Sequence, residues 1–249
     1  MAELRRLLIR QPRLEPCLLS SRLVPLQERE AHYLRRVLRL RIGDPVAVVN
    51  GQGQLWTASL RSTAELELDQ STPQISGPNP CPRLGLAVVG VRRGMDELMR
   101  MACELGIDWI QPLTSQWRTV QADERPDRWQ LILDEAVEQC ERLWQPTLLA
   151  SRDVTAWWQE RPGAMAGALA TTRRSGLPSL RQWLEQQPTA VESVWVTIGP
   201  EAGWSPEEEA VAETCGWTPI SCGSTILRTS TAAVSAAALM ASWREHGCC

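Results

Sequence analysis

The sequence predicts a two-part α/β protein: a small barrel-like β domain carrying one helix, then a larger α/β domain on a mostly parallel sheet. Three observations predict it. Short β-rich runs, broken by an Asn50-Gly51 turn signal, extend to Leu68. Residues 71–82 then hold Pro73, Pro78, Pro80 and Pro82, too many for a helix or a central strand, so residues 73–82 read as a semi-rigid linker. Beyond it, apolar strands alternate with amphipathic helices, the rhythm of a parallel sheet covered on both faces. With 249 residues, 43% of them apolar, the chain can build a core for each part.

Each element has a local reason. Residues 27–40 place Ala31, Leu34, Val37 and Leu38 at helical spacing, and Gly43-Asp44 ends that segment. Val46–Val49, Leu55–Leu60 and Leu66–Leu68 are the short strands of the first domain. Leu84–Val89 is a continuous apolar strand. Met95, Leu98, Met99, Ala102 and Leu105 then form one helical stripe, closed by Gly106 at the C-cap. Asp108–Pro112 is a second strand. Residues 126–145 form a long helix with Trp129, Ile132, Leu133, Ala136 and Cys140 inward. Met165–Ala170 and Val194–Ile198 are further buried strands, another ends near Ser221, and an Ala-rich helix follows. Ala232, Ala233, Ala236, Ala237 and Ala241 on that helix permit close packing, either within the chain or across a dimer face.

Composition narrows the function. Charged residues make up 22%, an ordinary share for a soluble globular chain, and the longest weakly polar run falls short of the roughly 20 residues that span a bilayer. The first residues carry charge where a secretory signal needs an apolar stretch, so a cytoplasmic protein is expected, with no membrane partner. The eight Cys form no C-x-x-C pair and only two His accompany them, so no metal site and no disulfide framework is expected. The net charge of -3 hides an asymmetry. Residues 1–45 hold ten Arg against five acids, a local +5, and the rest of the chain carries -8. A basic front end suggests a polyanion-docking module, with Arg35, Arg36 and Arg39 as its candidate polyanion contacts; the plainer reading is a solvated helix face.

Three segments carry the chemistry. In the first, residues 196–209, an apolar strand runs into Gly199-Pro200-Glu201-Ala202-Gly203 and then a helix. That helix starts with Ser205 as N-cap, Pro206 at N1 and Glu208 at N3, a capping box. Such a loop at the carboxyl end of a strand is where open α/β folds bind ligands, although it is neither G-x-G-x-x-G nor a P-loop. Residues 221–243 open with Cys222, Gly223 and Ser224, pass through Ile226, Leu227 and Arg228, and enter the Ala-rich helix. Residues 135–146 place Gln139 and Arg142 on one side of a helix end, where an Arg often complements the helix dipole.

Residues 32–56, 104–113 with 138–146, 198–205 and 222–232, in that order and spacing, resemble the ribosomal RNA small subunit methyltransferase E family, which belongs to the SPOUT superfamily. The resemblance implies a PUA-like RNA-binding domain at residues 1–72 and a SPOUT deep-trefoil-knot domain at residues 83–249. It also implies a homodimer that uses S-adenosylmethionine to methylate uridine N3 in small-subunit (16S) ribosomal RNA, free or in the assembled 30S subunit. The implied cofactor loops lie around Ala170, at Gly199, Pro200, Glu201 and Gly203, and at Cys222, Gly223, Ile226, Leu227 and Arg228. Arg228 and Arg142 are the candidates for stabilising the uracil anion, because each lies in a family motif. The chain departs from the family pattern at Met101, Trp117, Arg118, Ala202, Thr225 and Ser230. A non-catalytic RNA-binding or ribosome assembly factor on the same scaffold is the alternative. A Ser/His/acid hydrolase has no support, since neither His32 nor His246 stands beside a nucleophile elbow.

Overall fold

A computed structural model describes residues 4–117, 124–160, 165–188 and 190–247. Arg118, Cys248 and Cys249 lie outside the described residues. The chain forms two compact units, one comprising residues 1–79 with 134–145, the other residues 80–133 with 146–249.

The first unit opens with β1 (Arg6–Leu8), α1 (Gln11–Leu18), β2 (Leu23–Pro25) and α2 (Glu28–His32). β3 (Pro45–Val49), β4 (Gln54–Leu60), β5 (Glu65–Leu68) and β6 (Ile75–Ser76) follow. The sheet order is β1-β3-β4-β5-β2, with β6 also paired to β4. The predicted linker therefore starts inside the sheet. The Asn50-Gly51 hairpin forms as the sequence predicts: the Asn50 carboxamide oxygen accepts the N–H groups of Gln52 and Gln54, and Gly51 takes φ +71°. Leu7, Ile9, Leu14, Leu34, Trp56 and Leu66 are at the centre of this unit's core.

One expectation fails here. The helix predicted over 27–40 begins on a Gln27–Glu30 capping box but becomes a π-helical turn at Tyr33–Val37, where the Leu38 N–H bonds back to Tyr33. The wider turn keeps Leu34 buried and carries Val37 out to 58% exposure.

The second unit comprises β7 (Arg83–Val89), α3 (Met95–Glu104), β8 (Trp109–Thr114), α4 (Pro126–Cys140), β9 (Thr147–Leu148), β10 (Arg152–Asp153) and α5 (Val154–Gln159). β11 (Met165–Ala170), α6 (Leu180–Glu185), β12 (Ser193–Ile198), α7 (Pro206–Thr214), β13 (Thr218–Ile220) and α8 (Thr229–Gly247) complete it. Its strands run in the order β10-β8-β7-β12-β11-β13, with β9 beside β8, and every pairing is parallel, as the strand–helix rhythm predicts. α4 is shared: from Asp134 onward it belongs to the first unit. On α4, Trp129, Leu133 and Ala136 are buried as expected, Ile132 and Cys140 are half-buried, and Val137 joins the buried set.

Six of the tryptophans pack together in the second unit. Trp109 stacks on Trp195 at 5.6 Å, and edge or tilted contacts of 5.0–6.4 Å extend the cluster through Trp157, Trp217 and Trp158 to Trp204. Glycines make room for them: a Cβ on Gly85 would lie 2.1 Å from the Trp195 ring, and one on Gly167 would lie 2.6 Å from Trp217. α8 packs against β7, β12, α3 and α6. Ala232, Ala233, Ala236 and Ala237 are buried within the chain, which decides for core packing over a dimer face at those positions. At its far end Arg244 donates to the Asp108 carboxylate (2.5 Å) and to the Gly106 carbonyl (2.9 Å). Asp108 is 2% exposed and also accepts the Leu84 N–H at 2.9 Å. Among the described residues no helix is long and apolar enough to cross a membrane.

Candidate cofactor site and RNA-facing surface

Parallel strands place their C-terminal loops at one edge of a sheet, and β11, β12 and β13 end level with one another. Ala170 pairs with Ile198 on one side and with Ile220 on the other. The three loops that leave these ends surround a cavity of about 420 Å³, within the usual range for a small-molecule site. Ala170, Gly199, Pro200, Glu201 and Gly203 line it, as do Cys222, Gly223, Ile226 and Leu227.

Local structure explains this shape. The N–H of Ser221 bonds to the Pro178 carbonyl, and the Leu180 N–H bonds to the Ser221 carbonyl. A few residues on, the Thr229 hydroxyl donates to the Gly199 carbonyl at 2.8 Å. The segment leaving β13 is thus tucked between the β11–α6 loop and the β12–α7 loop before α8 begins. Gly203 (φ +84°) and Gly223 (φ +143°) take backbone conformations that a side chain would strain. Gly199 serves a close approach instead: a Cβ there would lie 2.9 Å from the Trp204 ring. Trp204 is 6% exposed, forms part of the cavity wall and donates its indole N–H to the Ala170 carbonyl at 2.9 Å. The α7 capping box forms as predicted. Glu208 also accepts the Gln116 N–H at 2.8 Å, which fixes the chain just before Trp117, another lining residue.

The electrostatics separate the lining groups. Burial pushes the Cys222 thiol up to about 11, so it stays protonated and serves as an apolar wall. Glu209 accepts the Thr171 hydroxyl and pairs with Arg174 at 3.2 Å, and Arg174 pairs in turn with Glu213 at 2.7 Å. Trp117 and Ile226 bring 44% and 66% exposed apolar side chains to the cavity. Among the described residues no group of His, Cys, Asp and Glu could hold a metal ion.

The other candidates fall elsewhere. Arg228 is exposed between two lining residues, Leu227 and Thr229, without lining the cavity itself. Arg142 belongs to the first unit and is not a lining residue. Arg35, Arg36 and Arg39 are exposed on the π-helical turn and its exit, and among the described residues none of them forms an ion pair. The basic character of the front end is local. Arg6, Arg10 and Arg29 pair with Glu141, Asp134 and Glu135, and the first unit as a whole holds twelve Arg and twelve acids. Sequence reasoning missed the Thr171–Arg174 stretch of the cavity wall. It is a short polar loop with no motif, and only its position after a predicted strand could have flagged it.

Comparison with known proteins agrees with this architecture. The RNA methyltransferase domain family matches residues 78–241, and the RNA methyltransferase PUA domain family matches residues 26–67. The chain is therefore an RNA methyltransferase with a PUA-like first unit. Ribosomal RNA small subunit methyltransferase E of Synechocystis is 34% identical, over 84% of this chain and 69% of that protein. Its counterpart from Rickettsia conorii is 28% identical, over 88% and 89%. The crystal structure of the Neisseria gonorrhoeae counterpart, bound to S-adenosyl methionine, superposes with a TM-score of 0.79 at 25% identity, covering 96% of this chain and 98% of that one. The chain belongs to the ribosomal RNA small subunit methyltransferase E family.

Proposed function

We propose that this protein transfers a methyl group from S-adenosylmethionine to N3 of a uridine in small-subunit ribosomal RNA. The observation that carries the reading is the cavity at the level ends of β11, β12 and β13, walled by Gly199–Gly203 and Cys222–Leu227. Adenine is flat and neutral, so backbone groups of Cys222, Ile226 and Leu227 beside apolar side chains suit it. Gly203 and Gly223 supply the positive-φ turns that shape the loops around the nucleoside, and Gly199 makes room for the Trp204 wall. Ala170, Pro200 and Glu201 complete the cradle.

S-adenosylmethionine supplies an electrophilic methyl carbon, so the protein's task is to present a nucleophilic nitrogen in line with it. Uracil N3 is protonated at neutral pH; it would attack after losing that proton to solvent, and the sulfonium carbon–sulfur bond would break as the nitrogen–carbon bond forms, leaving S-adenosylhomocysteine. The charge left when the proton departs spreads onto the flanking carbonyl oxygens. Arg228, which lies between the lining residues Leu227 and Thr229, is assigned to those oxygens as a hydrogen-bond donor. Arg35, Arg36 and Arg39 are assigned to phosphates of the RNA, where they contribute attraction without sequence readout. We further assign the protein to the cytoplasm and to a homodimer, with free ribosomal RNA or the 30S subunit as its substrate; membership of a ribosomal RNA methyltransferase family supports this placement.

The test is methyl transfer from labelled S-adenosylmethionine to unmodified small subunits and to free small-subunit RNA, followed by nucleoside mass analysis. The expected product is 3-methyluridine. Cofactor binding without label in either RNA would favour a non-catalytic assembly factor and overturn the proposal.

A further inference from the structure

The cavity carries four charged lining side chains, and they are not equivalent. Arg174 is committed to Glu209 and Glu213, and Glu209 is committed to Arg174 and Thr171. That leaves Arg173 and Glu201, one of each sign, on two different loops. Among the described residues neither forms an ion pair. Arg173 also occupies the left-handed region, at φ +63°, where a residue with a Cβ is disfavoured. The neighbouring residues hold it there: Thr171 is fixed by its N–H to the Ile220 carbonyl, and Arg174 is fixed by its two carboxylates.

A cavity with one uncommitted cation and one uncommitted anion is matched to a zwitterion. Of the two ends of S-adenosylmethionine, the nucleoside is neutral, whereas the amino-acid end bears an α-carboxylate and an α-ammonium. We infer that Arg173 is a positioning residue for the cofactor. Its guanidinium holds the α-carboxylate while Glu201 holds the α-ammonium, and together they select ligands that carry an intact amino-acid end. The inference rests on the cavity being the S-adenosylmethionine site. It adds a residue outside every motif the sequence offered, and a basis for specificity.

Calorimetry with three probes tests it: S-adenosylmethionine, S-adenosylhomocysteine and 5′-methylthioadenosine, which lacks the amino-acid end. Wild-type protein should bind the first two clearly more tightly than the third. Arg173→Gln should weaken the first two by about tenfold or more, the scale of a charge-assisted hydrogen bond, and leave 5′-methylthioadenosine within about twofold. Arg173→Gly suits the positive φ and should melt no lower than wild type, so the same ligand pattern in that variant cannot be ascribed to misfolding. Three results would overturn the inference: equal weakening of all three probes, an unchanged affinity for S-adenosylmethionine, or a loss confined to RNA binding. Wild-type protein that binds none of the probes would instead remove the cofactor reading of the cavity, and this inference with it.

Discussion

Gly199→Ala adds one methyl group at the wall of the cavity, and its effect can be worked from the contacts. The new Cβ would lie 2.9 Å from Trp204 Cε2 and 3.2 Å from two more indole atoms. The ring must retreat by about half an ångström to reach ordinary contact. It cannot do so freely, because it packs edge-on against Trp158 at 5.2 Å and its N–H is tied to the Ala170 carbonyl. Overpacking of this kind costs about 1–3 kcal/mol, and a weakened hydrogen bond adds roughly 1 kcal/mol. A total near 3 kcal/mol lowers the melting temperature by about 6–12 °C in a chain of this size. Because Trp204 and Ala170 both line the cavity, affinity for S-adenosylmethionine should fall as well. Melting curves and calorimetry on Gly199→Ala, on Trp204→Leu and on the double variant measure both effects. The double variant should recover part of the melting loss, since the smaller side chain leaves room for the methyl. If Gly199→Ala melts within about 1 °C of wild type and binds the cofactor unchanged, the proposed Gly199–Trp204 complementarity is wrong.

Other perturbations have equally defined outcomes. Arg244→Met strands the buried Asp108 carboxylate and should cost about 3–5 kcal/mol in denaturant titration, with Asp108→Leu/Arg244→Met costing less than either single change. Burial pushes the Glu138 carboxyl up to about 7 from its ordinary 4.5, against the Leu8 N–H that it accepts. The folded first unit therefore holds that proton more tightly than the unfolded chain. The contribution to stability is full below pH 4.5 and is lost as pH rises through about 7. Glu138→Gln should then be the more stable form at pH 8, by at most about 3 kcal/mol, with the gap closed near pH 4.5; no gap at pH 8 would show that the carboxylate is solvated. Neutralising Arg35, Arg36 and Arg39 together should weaken RNA binding and flatten the slope of log affinity against log salt by about two units. Cofactor affinity should stay the same, and an unaltered RNA affinity at low salt would return these arginines to a solvated helix face.

Much of this architecture was legible because local chemistry and tertiary structure agree. The Asn50-Gly51 turn, the Ser205–Glu208 capping box and the Gly106 helix stop each satisfy backbone groups within a few residues, so the sequence alone carries them. The glycine-flanked loops were legible for the same reason. What escaped depends on partners distant in the chain. β1 and β2 are three residues each, too short for any periodicity. The far end of α4 and the segment just after it join the first unit through Glu138, Glu141 and Trp144, whose contacts with Leu8, Arg6 and Gly77 span many residues. Asp134, Glu135 and Glu141 pair with Arg10, Arg29 and Arg6, so a charge count over residues 1–45 does not by itself give the charge of the folded unit. Arg173 was invisible because nothing in a Thr-Thr-Arg-Arg loop says which arginine is already committed.

The tryptophan cluster has an optical consequence. The path from Trp109 through Trp195, Trp157, Trp217 and Trp158 to Trp204 has no step longer than 6.4 Å between ring centroids. At such spacing, excitation absorbed by any one indole migrates among all six before emission. The last member stands in the cavity wall, so a ligand that quenches Trp204 drains light gathered by the whole array. Occupancy of the cavity is thereby written into the intrinsic fluorescence of the second unit, and the stacked pair Trp109–Trp195, only 10° from parallel, should add a near-ultraviolet dichroic signal that vanishes when the sheet comes apart. Filling of the site and melting of its scaffold become two separate colours of one label-free measurement.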